Sequence, residues 1–427
     1  MLNINYKLAQ LEEEGRFIKV GLVGAGQMGT GMVNQISLMK GMEVVIIADL
    51  DLERARQAYI YRGEDPGRII KADTREEALK ALEQGRPAIT DNARLICELD
   101  PIDVVVDATG VPQVGAEIAF LAIQNGKHVV TLNVEADVTV GRILSRLAQR
   151  AGVVYTLGAG DEPACIKELY DFAEALGFKV IACGKGKNNP LDYYCTPESL
   201  IEIARVKGAN PKMLTSFYDG TKTMVEMAAV ANATGLLPDV PGMHGPQATV
   251  EELPRIFELK ERGGILNSLG VVDFVIGVAP GVFAIVTTDN LKVREELAYL
   301  QMGEGPNYVL YRPYHLTSLE TPLSIARAVI YGEPTLVPRF HAAEVAAVAK
   351  KKLLPGEILD GIGGTTVYGL IVKAEEAESQ GYLPMGLTGC KCVVKRPVER
   401  GEVLRWSDIS LEEENALVQL YRLQKIM

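Results

Sequence analysis

Phe17-Ile18-Lys19-Val20-Gly21-Leu22-Val23-Gly24-Ala25-Gly26-Gln27-Met28-Gly29 is the stretch whose reading decides the fold. Residues 17–23 are rich in β-branched and apolar side chains, glycines follow at 24, 26 and 29, and residues 28–39 carry apolar side chains at helical spacing. That order predicts strand, tight turn, helix. A second strand over 43–48 ends at Asp49, 20 residues beyond Gly29. Three such glycines alone are a weak signal, but behind a strand, at the head of a helix and with an acid downstream they mark a dinucleotide site. Gly24 permits the turn, Gly26 lets a pyrophosphate approach the backbone, and Gly29 lets the helix sit close to the sheet. The helix start at Gln27 and Met28 offers free N–H groups and the positive end of its dipole. Asp49 suits the ribose hydroxyls of the adenosine and repels a 2′-phosphate, which favours NAD(H) over NADP(H). Arg54 and Arg56 are the side chains that would turn onto that phosphate if NADP(H) were bound.

The alternation continues with a strand over 103–108, a helix over 114–125 and a strand over 128–133. Consecutive β and α segments of this kind predict an α/β, doubly wound parallel sheet of the Rossmann kind, with ligands outside the carboxyl ends of the strands. Thr109, Gly110 and Asn133 fall at such ends, beside the expected nicotinamide ribose. Residues 59–99 read as an insertion with short helices. Beyond a strand over 153–156 come the turn Gly158-Ala159-Gly160-Asp161-Glu162-Pro163, a helix after Pro163, a strand over 179–183 and a polar loop over 184–190. A helix carrying Asp219, Lys222 and Glu226 follows, and then two strands over 271–278 and 282–288, which suit an α+β substrate domain. Composition shifts near Pro338, after which stretches 345–359 and 392–404 repeat one pattern of apolar run, cation and Gly-Glu-hydrophobic-Leu. They read as two copies of a hairpin-like element in a small β-rich domain. The expected domains are therefore 1–157, 158–339 and 340–427.

The chain has 427 residues, 48% of them apolar and 23% charged, which is the balance of an ordinary globular protein. Its net charge of -11 comes without a dense basic run, so nucleic acid is not an expected partner. No apolar stretch approaches the roughly 20 residues that cross a bilayer, and residues 1–15 hold no apolar signal core, so a cytoplasmic protein is expected. Cysteines at 97, 165, 183, 195, 390 and 392 lack the paired spacing of a zinc site and read as reduced thiols.

A dinucleotide site implies hydride transfer, which needs a proton donor or acceptor and a charged frame for the substrate. On one helix Lys222 and Glu226 share a face, and Met224, Val225, Met227 and Ala228 around them argue for a buried pair over a solvated one. Lys185, Lys187, Asn188 and Asn189 join two amines to two amides and suit a phosphate or carboxylate, if they are more than an exposed loop. Asp161 and Glu162 suit a helix cap, substrate hydroxyls or a divalent cation such as Mg²⁺ or Mn²⁺. His315, in Tyr311-Arg312-Pro313-Tyr314-His315, is a general acid, an oxyanion ligand of the substrate, or structural. His128 and His341 read as structural, and His244, in a turn-rich segment, stays open.

The glycine turn, Thr131-Leu132-Asn133 and the Asp219…Lys222 segment resemble homoserine dehydrogenase. With Leu354-Pro355-Gly356-Glu357 and Arg396-Pro397-Val398-Glu399-Arg400-Gly401-Glu402-Val403-Leu404, the whole chain more closely resembles a homoserine-dehydrogenase-related group that ends in a SAF-type domain. Some members of that group look like 1-deoxy-D-xylulose 5-phosphate reductoisomerases of isoprenoid biosynthesis. In homoserine dehydrogenases a functional lysine follows the Asn matched by Asn133, whereas Val134 follows here. The resemblance implies that Lys222 transfers a proton or polarises a carbonyl and that Asp219 and Glu226 orient it, with Lys187 beside them as a further catalytic candidate. It also implies a phosphorylated ketose held by Lys185, Lys187, Asn188 and His315, and a metal at Asp161 and Glu162. The alternatives are a homoserine-dehydrogenase-like reductase of a small semialdehyde or hydroxy acid, and a nicotinamide-binding sensor or assembly protein without turnover. A homodimer or homotetramer is expected for this build.

Overall fold

The computed structural model describes residues 3–427. The chain compacts into two units. The first comprises residues up to Ala164 together with Leu316–Val337 and Gln419–Met427, and the second comprises Cys165–His315 and Pro338–Val418. The main helices are α1 (Gln27–Ile36), α2 (Val134–Ala151), α3 (Glu162–Ala175), α4 (Pro211–Tyr218), α5 (Thr221–Thr234), α6 (Thr317–Tyr331) and α7 (Ala416–Lys425).

Seven strands make the sheet of the first unit: β1 (Ile18–Val23), β2 (Met42–Ala48), β3 (Ile70–Lys71), β4 (Ala88–Thr90), β5 (Val104–Asp107), β6 (His128–Thr131) and β7 (Tyr155–Leu157). They are all parallel in the order β3-β4-β2-β1-β5-β6-β7. Runs such as Val104-Val105-Val106 are apolar at every position because helices cover both faces of such a sheet. The stretch read as an insertion supplies β3 and β4 and so widens the sheet. Residues 316–337, expected in the second domain, belong to this one. Ile325 and Ala326 of α6 share a core with Val20, Leu22, Met32 and Val33. The Thr156 hydroxyl accepts from Thr335 N (2.9 Å) and Leu336 N (3.0 Å) beside β7.

The chain terminus also returns to this unit. The Gln424 amide accepts from Ile143 N (3.0 Å) and donates to Thr139 O (3.0 Å). Those two groups are an i, i−4 pair of α2, so one side chain bridges a rung of another helix's hydrogen-bond ladder.

The second unit holds a mixed sheet of β8 (Lys179–Lys187), β9 (Leu237–Pro238), β10 (Val271–Ile276), β11 (Val282–Thr287) and β12 (Asn307–Arg312), ordered β12-β11-β8-β10-β9. β8 runs parallel to β10 and antiparallel to β11. Here the expected polar loop at 184–190 is corrected, because residues 184–187 continue β8. The glycines that suggested a loop are required by crowding instead. A Cβ on Gly184 would lie 2.1 Å from Asp273 O, and one on Gly186 would lie 2.2 Å from Ala279 N. Alternation then sends Lys185 and Lys187 together to the opposite face.

β13 (Ala343–Ala349) and β14 (Val367–Lys373) pair with each other and pack on α5; β15 (Cys392–Val394) and β16 (Ile409–Leu411) form a second short pair. The Asn232 side chain of α5 accepts from Ala342 N and Ala343 N and donates to Ala343 O. Residues 338–418 therefore compact with the mixed sheet, where the sequence suggested a border at 339/340. The repeat is visible in three dimensions. Leu353 and Val398 exchange backbone hydrogen bonds (2.9 and 3.1 Å), and Gly356 and Gly401 both take positive φ (91° and 83°). Glu357 accepts from Leu354 N and pairs with Lys351, while Glu402 accepts from Glu399 N and pairs with Arg396.

No described helix is long and apolar enough to cross a membrane. The Gln424 bridge makes a testable claim: Gln424→Leu should destabilise the first unit by about 1–3 kcal/mol. Urea unfolding, with hydrogen exchange at the Ile143 amide, checks it; unchanged protection there would show that α2 does not need the bridge.

Candidate functional site

In the first unit β1 ends in the glycine turn and α1 begins at Gln27. Gly24 has φ 99°, and a Cβ there would meet the Ala108 backbone at 2.9 Å. A Cβ on Gly29 would sit 1.9 Å from Gly24 O, so the helix lies against the strand as closely as backbone allows. Gly26 has nothing within 4 Å of its Cβ position. It also caps α1 with no side-chain hydrogen bond, and Gln27 and Met28 are exposed beside it. This is an open backbone cradle at a helix N-terminus, the form that a pyrophosphate fits. Asp49, half-buried at the end of β2, accepts from Ala25 N (2.7 Å) and Asp51 N (2.8 Å). The turn fixes this carboxylate, which keeps lone pairs for ribose hydroxyls. Arg54 instead pairs with Asp51 (3.3 Å), and Arg56 donates to Pro66 O (3.3 Å).

At the ends of β5 and β6, buried Asp107 accepts from Thr109 N (2.9 Å), the Thr109 hydroxyl (2.7 Å) and the Thr131 hydroxyl (3.3 Å). Burial raises its pKa, and these hydrogen bonds oppose the rise. Gly110 is exposed, with φ 65°. Asn133 is wholly buried and caps α2 by accepting from Ala136 N (3.1 Å), so its side chain orders this edge from within. Buried Asp161 and half-buried Glu162 bring carboxylate oxygens within 4.8 Å of each other. Glu162 already opens α3, two residues before the expected start after Pro163.

In the second unit the charged groups gather between β8 and the helices α4 and α5. Lys185 pairs with Glu226, and both side chains are buried. Lys187, also buried, donates to Phe217 O (2.5 Å). Its amine is pushed down to about 8, first by burial and then by the Lys185 charge, against the pull of Glu226 and Asp219. Lys222 is half-buried in the first turn of α5.

Asp219 is not in that helix but at the C-cap of α4, with Gly220 in the left-handed region between the two. It is completely buried, faces Lys350 at 2.8 Å and accepts from Thr221 N (2.9 Å). Asn188 stands apart, exposed past the end of β8. His315 is half-buried at the last residue of its segment. His244, left open above, is tied to Asp239 at 2.7 Å, and its backbone N–H donates to Asp273 (3.0 Å). Lys350 was missed because Lys350-Lys351-Lys352 reads as a solvated cationic run; only the first of the three is buried.

Residues 24–158 match the family described as homoserine dehydrogenase, NAD binding domain, and residues 160–321 match oxidoreductase DRL, catalytic domain. A homoserine dehydrogenase of Methylobacillus glycogenes is 32% identical over 125 residues, which is 27% of this chain and 24% of that protein. The chain thus spans about a quarter of the length of that curated relative. Among solved structures, a probable dehydrogenase from Thermotoga maritima (17% identity, TM-score 0.41) is similar over 75% of this chain and 90% of its own. A myo-inositol dehydrogenase from Lactobacillus casei, in complex with NAD(H) and myo-inositol (13% identity, TM-score 0.43), is similar over 75% and 89%.

The cradle predicts that Gly26→Val, at a backbone φ of −70° that valine accepts, leaves the melting temperature unchanged and weakens NADH binding at least tenfold. A fluorescence titration checks it, and undiminished binding would place the pyrophosphate elsewhere.

The two matches lie side by side in one chain, at residues 24–158 and 160–321.

Proposed function

We propose that this protein is an NAD(P)-dependent oxidoreductase of CH–OH groups, with NAD(H) favoured by Asp49, acting on a small anionic substrate. The observation that carries this reading is the buried pair of lysines on one face of β8. Lys185 is balanced by Glu226, and Lys187 has an amine near 8. Two amines against one carboxylate leave a net positive buried frame, which an anionic substrate would neutralise. An amine near 8 holds or releases its proton close to neutral pH, as a general acid or base must.

A nicotinamide bound at the glycine turn supplies or accepts the hydride. In the reductive direction, protonated Lys187 gives its proton to the oxygen of the carbonyl being reduced, and Lys222 polarises that carbonyl. In the oxidative direction neutral Lys187 takes the hydroxyl proton. The finer reading is a reductoisomerase-like enzyme of a phosphorylated ketose such as 1-deoxy-D-xylulose 5-phosphate: a carbon shift gives an aldehyde, which the hydride and one proton reduce to an alcohol. Lys185 holds the phosphate in that reading while Lys187 keeps the proton-transfer role, and Asp161 and Glu162 are the carboxylates that would hold a divalent cation against a hydroxyketone. A second reading, a reductase of a small semialdehyde, is favoured by the identity to the Methylobacillus glycogenes homoserine dehydrogenase.

The test is oxidation of NADH and NADPH with 1-deoxy-D-xylulose 5-phosphate and with aspartate semialdehyde, each with EDTA, Mg²⁺ or Mn²⁺. Metal-dependent turnover of the phosphosugar supports the reductoisomerase, and turnover of the semialdehyde alone replaces it with the second reading. Full phosphosugar activity in EDTA would remove the metal from Asp161 and Glu162. With the active substrate, the reductive rate should fall as pH rises through about 8, where Lys187 loses its proton. Lys187→Met should lower kcat by roughly 10²-fold or more. In Lys185→Met the neighbouring cation is gone and Glu226 remains, so the inflection should move to higher pH. An inflection that stays put in both variants would exclude Lys187 as the titrating group.

A further inference from the structure

Lys350 lies just past the end of β13, far in sequence from Lys185, Lys187, Lys222 and Glu226. It faces Asp219 Oδ2 at 2.8 Å and donates to Cys195 O (2.9 Å) and Gly364 O (2.8 Å). One ion pair and two hydrogen bonds thus tie the ammonium to three separate segments. Both charges are shut from water, with side-chain exposures of 1% for Lys350 and 0% for Asp219. A buried pair of this kind adds little stability over an apolar pair of the same volume, so its use here lies in the geometry it imposes.

That geometry runs in a continuous line. The other Asp219 oxygen accepts from Thr221 N, the first residue of α5, and the Thr221 hydroxyl accepts from Gly369 N (2.8 Å) of β14. α5 has no other side-chain cap, and it follows Gly220, whose φ of 81° costs glycine nothing. The direction in which α5 leaves this turn is therefore set by Asp219, and Asp219 is set by Lys350. Lys222 is the next residue along, and Glu226, the partner of Lys185, is one turn further. We infer that Lys350 is a positioning residue: through Asp219 it fixes the first turn of α5 and so the placement of Lys222, which makes the segment beyond Pro338 a part of the reactive site. The inference rests on the reading of Lys222 given above.

The experiment compares Lys350→Met, Asp219→Asn and the double variant in the full-length protein. Lys350→Met alone strands a buried carboxylate and should melt at lower temperature. The double variant removes both charges and should recover most of that loss. If Lys350 positions the turn, the recovered double variant keeps a kcat at least tenfold low with the KM for the nicotinamide cofactor within twofold, and its amides over 219–224 exchange at least tenfold faster than in the unmodified protein. Recovery of kcat and of exchange protection along with the melting temperature would overturn the inference, leaving a purely structural ion pair. Should no substrate of the assay above turn over, the oxidoreductase reading fails on its own account and the exchange rates still decide: faster exchange at 219–224 upholds positioning, and unchanged exchange rejects it. Should the double variant not fold, Asp219→Asn, which keeps an acceptor and the volume, is read in the same way.

Discussion

Two lysines and two carboxylates buried at the start of α5 set the terms for the second unit. Lys185 with Glu226 and Lys350 with Asp219 lie out of water, where each charge needs its partner and where removing one partner alone costs about 3–5 kcal/mol. The partners come from β8, the α4–α5 turn, α5 and β13, so four stretches of chain must be in place before the charges are matched. Lys187 sits among them and donates to a main-chain carbonyl, and the surplus positive charge falls on it. The physical property that suits it to move a proton is thus a by-product of how its neighbours are paired.

The strand, glycine turn and helix were legible in the sequence because local sterics write them there: each glycine answers a contact within a few residues or across one strand. Asp49 was legible by its distance from the turn. The continuation of β8 was not, because Gly184 and Gly186 look like loop residues until the crowding by Asp273 O and Ala279 N, from distant segments, is seen. Asp219 was read as part of the helix of Lys222 and Glu226, whereas a single left-handed glycine divides that stretch and leaves Asp219 at the C-cap of α4. Asn133 was legible as a residue at a strand end, and its complete burial as a helix cap was not. Lys350 was hidden because a run of three lysines carries no mark of which one turns inward.

The internal repeat shows the reverse case, a feature more legible in sequence than its consequence. Two matched stretches were evident at 345–359 and 392–404, but not that Leu353 and Val398 pair their backbones, nor that β13 packs against α5. The two family matches end at residue 321, whereas the unit that carries the lysine cluster resumes at Pro338.

The Gln424 amide that spans a rung of α2 also bears on how the protein is made. Every strand of the nucleotide-binding sheet has been synthesised by residue 157, yet α6, which completes its core, and Gln424, which completes α2, emerge later. A growing chain on the ribosome therefore displays a finished set of strands with an unfinished apolar surface, the kind of surface that chaperones hold and that aggregates form from. Until residue 424 is made, the rung of α2 between Thr139 and Ile143 lacks its bridging side chain, so this core closes only after the second unit has been synthesised.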